Sequence, residues 1–338
     1  MREMLLVWAQ FIVCVLLILF AGVRVAKYGD IIARKTGLGG LWIGVLLVAA
    51  ATSLPELFTG ISAVALFKAP DLTVGDAFGS NAFNLLVIAL LDIAHRQGPL
   101  LTVASPRHAL TAGLSLIMVA FPATCLLIRS LISPLAIGWV GIYTPIIFIL
   151  YVFMIRMVFN FEKREQATSS PDTGLVVKYE GISLRRAFVY YALSATIIIG
   201  AGTWLAFVGK ELAEITGWGQ SFVGSLFVAF TTSLPEIVVS FSALRIGAVD
   251  LCIANMMGSN LFNMTVIGVD DVFYTEGPIL AATSQSHIFT ALVVILMTGI
   301  FIAGLISRPQ RKTPLKASWY TLALIGVFLL GTYINFVI

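Results

Sequence analysis

Charge is what this sequence has least of. Asp, Glu, Lys and Arg together make up 11% of its 338 residues, against 59% hydrophobic residues, where an ordinary soluble domain carries roughly 25% charge. That balance excludes a soluble globular enzyme and points to a chain solvated by lipid. Long polar segments are lacking too. The longest, about residues 159–186, holds Glu162, Lys163, Arg164 and Glu165, then Ser169, Ser170, Pro171 and Asp172. It reads as a solvated linker and leaves no room for a separate catalytic domain. Cysteine is rare: Cys14, Cys125 and Cys252 stand alone in apolar runs, which excludes a disulfide framework or a zinc spacing. The net charge of +4 comes from basic residues scattered over short segments, with no basic stripe for nucleic acid.

What the sequence has is apolar runs long enough to cross about 30 Å of hydrocarbon, which takes roughly 20 helical residues. About ten are expected, at 4–26, 39–67, 71–94, 108–128, 132–157, 187–210, 219–246, 249–273, 287–307 and 317–338. The first is longer than the apolar part of a typical signal peptide and is read as a retained span. The expected fold is therefore an all-α membrane protein of two five-helix halves, 1–158 and 187–338, joined by the linker 159–186. With the N-terminus outside, seventeen of the 21 Lys and Arg residues fall on the cytoplasmic side, and only Arg2, Lys68, Arg129 and Lys210 fall outside. The positive-inside rule thus places both termini outside and the linker in the cytoplasm, in a plasma or bacterial inner membrane.

The two halves repeat each other. Thr52-Ser-Leu-Pro-Glu-Leu57 recurs as Thr232-Ser-Leu-Pro-Glu-Ile237, 180 residues on. Gly79-Ser-Asn-Ala-Phe-Asn84 recurs as Gly258-Ser-Asn-Leu-Phe-Asn263 at an offset of 179, as do Asp92 with Asp271, Gly98-Pro99 with Gly277-Pro278, and His108 with His287. Five spans per half is an odd number, so the second copy crosses the membrane in the opposite sense. Inverted repeats of this kind mark secondary transporters.

The repeated residues are suited to hard cations. Proline has no amide hydrogen, so Pro55 and Pro235 should release the carbonyls four residues earlier, at Ala51 and Thr231. Ser53 with Glu56, and Ser233 with Glu236, lie three residues apart on one helical face beside each break. Asp76, Ser80 and Asn84 recur every four residues in the third span, as Asn255, Ser259 and Asn263 do in the eighth, so each set forms a polar stripe. Gly75, Gly79 and Gly258 allow helices to approach closely there. The donors are oxygens and amides, with no His, Cys or Met, which suits Ca²⁺ or Na⁺. A carboxylate at the bilayer centre costs several kcal/mol, which makes Glu56, Glu236 and Asp76 functional candidates. Asn81 and Asn260, one step off the stripes, are read as braces for the broken backbone. Asp92, Asp270 and Asp271 lie near span ends, where a carboxylate is ordinarily solvated or sits at an ion pathway's mouth. His108 and His287, at the starts of spans, are read as satisfying local hydrogen bonds.

These motifs resemble those of the calcium/cation antiporter superfamily, whose two alpha-repeats each carry a Ser-Leu-Pro-Glu type and a Gly-Ser-Asn type motif. The resemblance is strong over about 39–100 and 219–280. It implies that the second, third, seventh and eighth spans form an ion-binding core against which the first and sixth slide. It also implies that Glu56 and Glu236 supply acidic ligands, Ser53 and Ser233 hydroxyls, Asn84 an amide, and Ser80 and Ser259 further sodium ligands. The Ser-Leu-Pro-Glu form is similar to the sodium/calcium exchanger branch, so Ca²⁺ and Na⁺ are the expected transported ions, with H⁺/Ca²⁺ or other divalent exchange as the alternative. The resemblance implies neither enzymatic activity nor a resident cofactor. Two departures stand out: Asn263 occupies a position that is often Asp in the family, and Asp76 one that is commonly Asn. The expectation is that the third carboxylate has moved across the pseudo-two-fold axis, from position 263 to 76.

Overall fold

A computed structural model describes residues 2–36, 49–132, 134–168, 181–314 and 316–337, and they are mostly helical. The long helices are α1 (Arg2–Lys35), α2 (Leu54–Ala65), α3 (Pro70–Ala94), α4 (His108–Leu127), α5 (Tyr143–Thr168) and α6 (Leu184–Thr216). They are followed by α7 (Gln220–Thr232), α8 (Leu234–Arg245), α9 (Val249–Phe273), α10 (His287–Ser307) and α11 (Trp319–Val337). Among the described residues, seven helices are long and apolar enough to cross a membrane, and eight if the bent pair α7–α8 counts as one span. The expected second span is described only from Ala49 onward. The expected eighth, α9, is twenty-five residues long, but its polar residues keep it outside that count. Most of the linker's polar stretch, 169–180, lies outside the described residues.

α1 and α6, of 34 and 33 residues, run to about 50 Å at the helical rise. That is longer than the hydrocarbon is thick, so a spanning helix of this length must tilt or project. They pack antiparallel along each other: the Tyr28 and Tyr190 rings stack at one end, 5.1 Å apart, and Trp8 meets Trp218 edge-on at the other. α6 is bounded by ordinary end signals. Ser183 Oγ accepts a hydrogen bond from the Arg186 amide at its start, and Gly217, at φ +70°, turns the chain out of its end. Leu5, Leu6, Leu16 and Phe20 of α1, Ile149, Val152 and Phe153 of α5, and Leu193 of α6 are exposed. An apolar exterior over a partly polar centre is the pattern of a protein in lipid.

The centre is built from α2, α3, α7, α8 and α9, which pack on one another. The chain breaks at Ser53 and at Ser233, each followed by Leu-Pro in the first turn of the next helix. A first-turn proline gives up an amide that has no intrahelical partner anyway, so the sequence restarts the helix there cheaply; α7 and α8 meet at 45°. Before its break, α7 widens into a π-helical turn, Gly224–Val228. α3 lies directly on that turn, because a Cβ at Gly79 would come within 2.3 Å of the Ser225 carbonyl oxygen.

Three expectations change. The fifth span does not begin at 132: residues 129–132 form a single helical turn, and β1 (Ala136–Ile137) pairs antiparallel with β2 (Val140–Gly141) before α5 starts at Tyr143. Gly138, at φ +67°, makes the tight turn that this hairpin needs. Second, Asp92 and Asp271 are neither solvated nor at a mouth, since both are fully buried. Asp92 accepts from the Leu100 and Ser318 amides and from the Tyr320 and Thr321 hydroxyls at 2.6–3.0 Å. Asp271 accepts from the Gly141 and Ile279 amides and from Tyr143 and Thr144 at 2.6–2.9 Å. These bonds replace water and tie each helix end to the following loop. Third, Asp270 is also fully buried rather than exposed at a mouth. The histidines pair with acids at helix starts, His108 with Asp250 at 2.9 Å and His287 with Asp71 at 2.8 Å.

Candidate functional site

Every ion-ligand candidate from the sequence is buried in this centre. The two breaks face each other, and the serine of each is paired with the glutamate of the other. Ser53 Oγ donates to Glu236 Oε1 at 3.0 Å, and Ser233 Oγ donates to Glu56 Oε1 at 3.4 Å. The sequence placed each Ser beside the Glu of its own helix; the fold crosses the pairs between the halves. The remaining oxygens, Glu56 Oε2 and Glu236 Oε2, accept no hydrogen bond.

α3 and α9 cross at a reciprocal set of four asparagines. Asn81 Nδ2 donates to the Asn260 carbonyl at 3.2 Å, and Asn260 Nδ2 to the Asn81 carbonyl at 3.4 Å. Asn84 Nδ2 donates to Asn260 Oδ1 at 2.9 Å, and Asn263 Nδ2 to Asn81 Oδ1 at 3.1 Å. Asn81 and Asn260 therefore brace the continuous helices α3 and α9 against each other, not the backbone at the two breaks. Asn84 and Asn263 are held by their nitrogens, which leaves Oδ1 of each without a donor.

The symmetry fails where Asp76 replaces an amide. Ser259 Oγ donates to Glu236 Oε1 at 3.2 Å, but its counterpart Ser80 turns to Asp76 Oδ1 at 3.2 Å and lies 3.3 Å from Thr232 Oγ1. Thr232 Oγ1 itself donates to Asp76 Oδ1 at 2.9 Å. A carboxylate offers only acceptor oxygens, whereas an amide has one acceptor oxygen and two N–H donors, so the Ser80 and Thr232 hydroxyls donate to Asp76. Asn255, the counterpart of Asp76, instead donates to the Glu236 carbonyl at 3.4 Å and to Ser240 Oγ at 3.2 Å, leaving its Oδ1 unpartnered. Thr232 has no role assigned to it from the sequence, although its place inside the repeated hexapeptide was an available signal. Ala51 packs its side chain with Ala21, Val25 and Ile198, and Thr231 Oγ1 donates to the Phe227 carbonyl at 2.8 Å. Ala51 has only its carbonyl oxygen to offer an ion, and Thr231 its carbonyl and a hydroxyl oxygen whose hydrogen is already donated.

Lys68–Glu276, His108–Asp250, His287–Asp71 and Lys312–Asp92 are ion pairs. None reaches Glu56, Glu236 or Asp76. Buried carboxylates without a positive partner are strongly unfavourable unless a cation or proton neutralises them. Among the described residues no three Asp, Glu, His or Cys side chains lie close enough to hold a metal. An ion between Glu56 and Glu236 would thus meet two carboxylates and the neutral oxygens of Ser, Asn and backbone, a set suited to a hard cation.

The family model described as sodium/calcium exchanger protein matches residues 6–157 and 186–338. Inner membrane protein YrbG of Escherichia coli (strain K12) is 27% identical over 284 residues, 78% of each chain. Sodium/calcium exchanger MaX1 of Methanosarcina acetivorans is 26% identical, covering 82% of this chain and 84% of that protein. A crystal structure of the H⁺/Ca²⁺ exchanger CAX superposes with a TM-score of 0.68 at 14% identity, over 98% of this chain and 86% of that one. The sodium-calcium exchanger NCX_Mj superposes with a TM-score of 0.61 at 20% identity, over 98% of both. At these identities the structural likenesses bear on the fold.

Proposed function

From the premise that the chain belongs to the sodium/calcium exchanger family, and is a multi-pass membrane transporter, we propose that it exchanges Ca²⁺ for Na⁺ by alternating access. The observation that carries this is the crossed Ser–Glu pair, which aims one unpartnered carboxylate oxygen from each half, Glu56 Oε2 and Glu236 Oε2, into a buried centre. A single Ca²⁺ neutralises both carboxylates; Na⁺ ions do so by using the same oxygens with Ser53, Ser233, Ser80 and Ser259. Asn84, Asn263 and Asn255 add amide oxygens, and the carbonyls of Ala51 and Thr231 complete the set. Asp76 tunes the site through Thr232 and Ser80. Ions that share oxygens compete, and an unneutralised site resists the closure that would bury it further from water.

In this reading the chain has ten spans in two inverted five-helix repeats, 1–158 and 187–338, with both termini outside and 159–186 in the cytoplasm. The reciprocal bonds among Asn81, Asn84, Asn260 and Asn263 support the inverted relation. α1 and α6 lie together across the core, with a Cβ at Gly22 of α1 reaching 2.2 Å from Pro235 at the second break. Movement of that pair would uncover one end of the site or the other.

The test is ⁴⁵Ca²⁺ uptake into proteoliposomes loaded with Na⁺ and diluted into Na⁺, K⁺ or choline at clamped pH. Uptake that requires the outward Na⁺ gradient supports the proposal. Uptake that ignores Na⁺ and follows an imposed pH gradient assigns the proton as counter-ion instead, a reading favoured by Asp76, whose recorded partners are hydroxyls.

A further inference from the structure

Outside the crossed Ser–Glu site, one buried carboxylate among the described residues keeps an oxygen without a hydrogen-bond partner. Asp270 of α9 is fully buried. Its Oδ2 accepts from Thr73 Oγ1 of α3, and its Oδ1 has no partner at all. No ion pair among the described residues includes it. Its neighbour Asp271 carries four hydrogen bonds to backbone and hydroxyl groups, so the two adjacent carboxylates differ sharply. One is an anchor with both oxygens hydrogen-bonded, and the other keeps an oxygen without a partner.

Asp270 also has a place relative to the site. A Cβ at Gly60 of α2 would lie 2.5 Å and 2.8 Å from the two Asp270 oxygens and 2.6 Å from Thr73 Oγ1. Only a glycine lets these three oxygens converge on the helix backbone. Gly60 follows Glu56 by four residues, and Thr73 precedes Asp76 by three, so each shares a helix face with its site carboxylate. Asp270 therefore sits about one helical turn, roughly 5 Å, from the level of Glu56 and Asp76. It lies toward the end of the core where Asp71 meets His287.

The arrangement exists on one side of the pseudo-two-fold axis only. The repeat partners of Gly60, Thr73 and Asp270 are Ser240, Cys252 and Leu91. There Ser240 Oγ donates to the Cys252 carbonyl at 3.4 Å, Cys252 Sγ donates to the Ser240 carbonyl at 3.1 Å, and Leu91 is fully buried. That side is closed with neutral groups, whereas the other holds a carboxylate with a free oxygen.

We propose that Asp270, with Thr73 at the Gly60 gap, is a separate monovalent-cation site, for Na⁺ or a proton, lying on the path between the Glu56–Glu236 site and one face of the membrane. It rests on the transport reading above. Occupied, it neutralises Asp270 and removes a negative charge about one helical turn from Asp76 on α3 and Glu56 on α2; Asp271 is its neighbour on α9, and Gly60 is the α2 residue against it. Because the mirror position lacks the carboxylate, monovalent ions compete with Ca²⁺ more strongly from the Asp270 side than from the other.

The experiment measures ⁴⁵Ca²⁺ binding to the purified full-length protein, first against rising NaCl at fixed pH, then against falling pH without Na⁺. It compares the wild type with Asp270→Asn and Thr73→Val. Folding of each variant is checked by its size-exclusion profile. The proposal expects both variants to keep Ca²⁺ binding while one of the two competitions weakens by roughly tenfold. Loss of Na⁺ competition identifies Na⁺, and loss of proton competition identifies the proton. Both competition curves unchanged in folded Thr73→Val and Asp270→Asn would overturn it. If Asp270→Asn does not fold, Thr73→Val decides alone. No Ca²⁺ binding by the wild type would overturn the transport reading on which the proposal depends.

Discussion

At the scale of single residues, the two glutamates and Asp76 have different partners and should respond differently. Glu56 and Glu236 each keep one oxygen free for an ion. Replacing either with Gln keeps the shape, removes the charge and leaves the serine donor of the other half satisfied. Both variants are expected to fold and to lose at least about a hundredfold in ⁴⁵Ca²⁺ exchange, as the loss of a few kcal/mol of ion binding would give. Retained exchange in either would remove that residue from the ligand set. Asp76→Asn acts indirectly: it weakens the hold on Thr232 and Ser80, frees Ser80 to turn to Glu56 as Ser259 does to Glu236, and is expected to shift Ca²⁺ affinity. Wild-type rate and affinity in that variant would show that the carboxylate at position 76 has no part in ion binding.

At the scale of elements, the anchors at Asp92 and Asp271 hold helix ends and take no part in the proposed ion site. Asp92→Asn or Asp271→Asn leaves buried donors poorly matched, at about 1–3 kcal/mol each. The expected outcome is a lower unfolding temperature in detergent with normal exchange per folded molecule; exchange lost at unchanged stability would assign these residues to transport. Their role was half visible in the sequence. Each stands eight residues before an amide it accepts from, Leu100 or Ile279, across a Gly-Pro pair. The repeat showed that spacing, but span-end position suggested solvent. The broken helices and the polar stripes were legible because proline position and four-residue periodicity are local, whereas the joining of α3 to α9 by Asn81 and Asn260 depends on how the two repeats meet. The crossing of Ser53 to Glu236 was not legible either, since it depends on how two breaks 180 residues apart meet. The hairpin before α5 was hidden by a continuous apolar run, in which the turn signal at Gly138 was outweighed.

At the scale of the whole molecule, orientation rests on the distribution of Lys and Arg and is open to direct test. The native cysteines, Cys14, Cys125 and Cys252, are buried, so the background for thiol labelling is low. Ala136→Cys, in the exposed hairpin, and Gln310→Cys, in the exposed loop after α10, report opposite faces. In intact cells a membrane-impermeant maleimide is expected to label position 136 and to reach 310 only after permeabilisation. The reverse pattern would invert the topology and place the Asp270 side in the cytoplasm.

The central claim is that one ion joins the two halves at Glu56 and Glu236, and the most direct measurement is the anomalous signal of Ca²⁺ in crystals of the full-length protein grown without Na⁺. The account predicts a peak between Glu56 Oε2 and Glu236 Oε2, at the 2.3–2.6 Å from each that Ca²⁺–oxygen bonds require, and lost in Glu56→Gln. A peak elsewhere, or an unchanged peak in that variant, would contradict it.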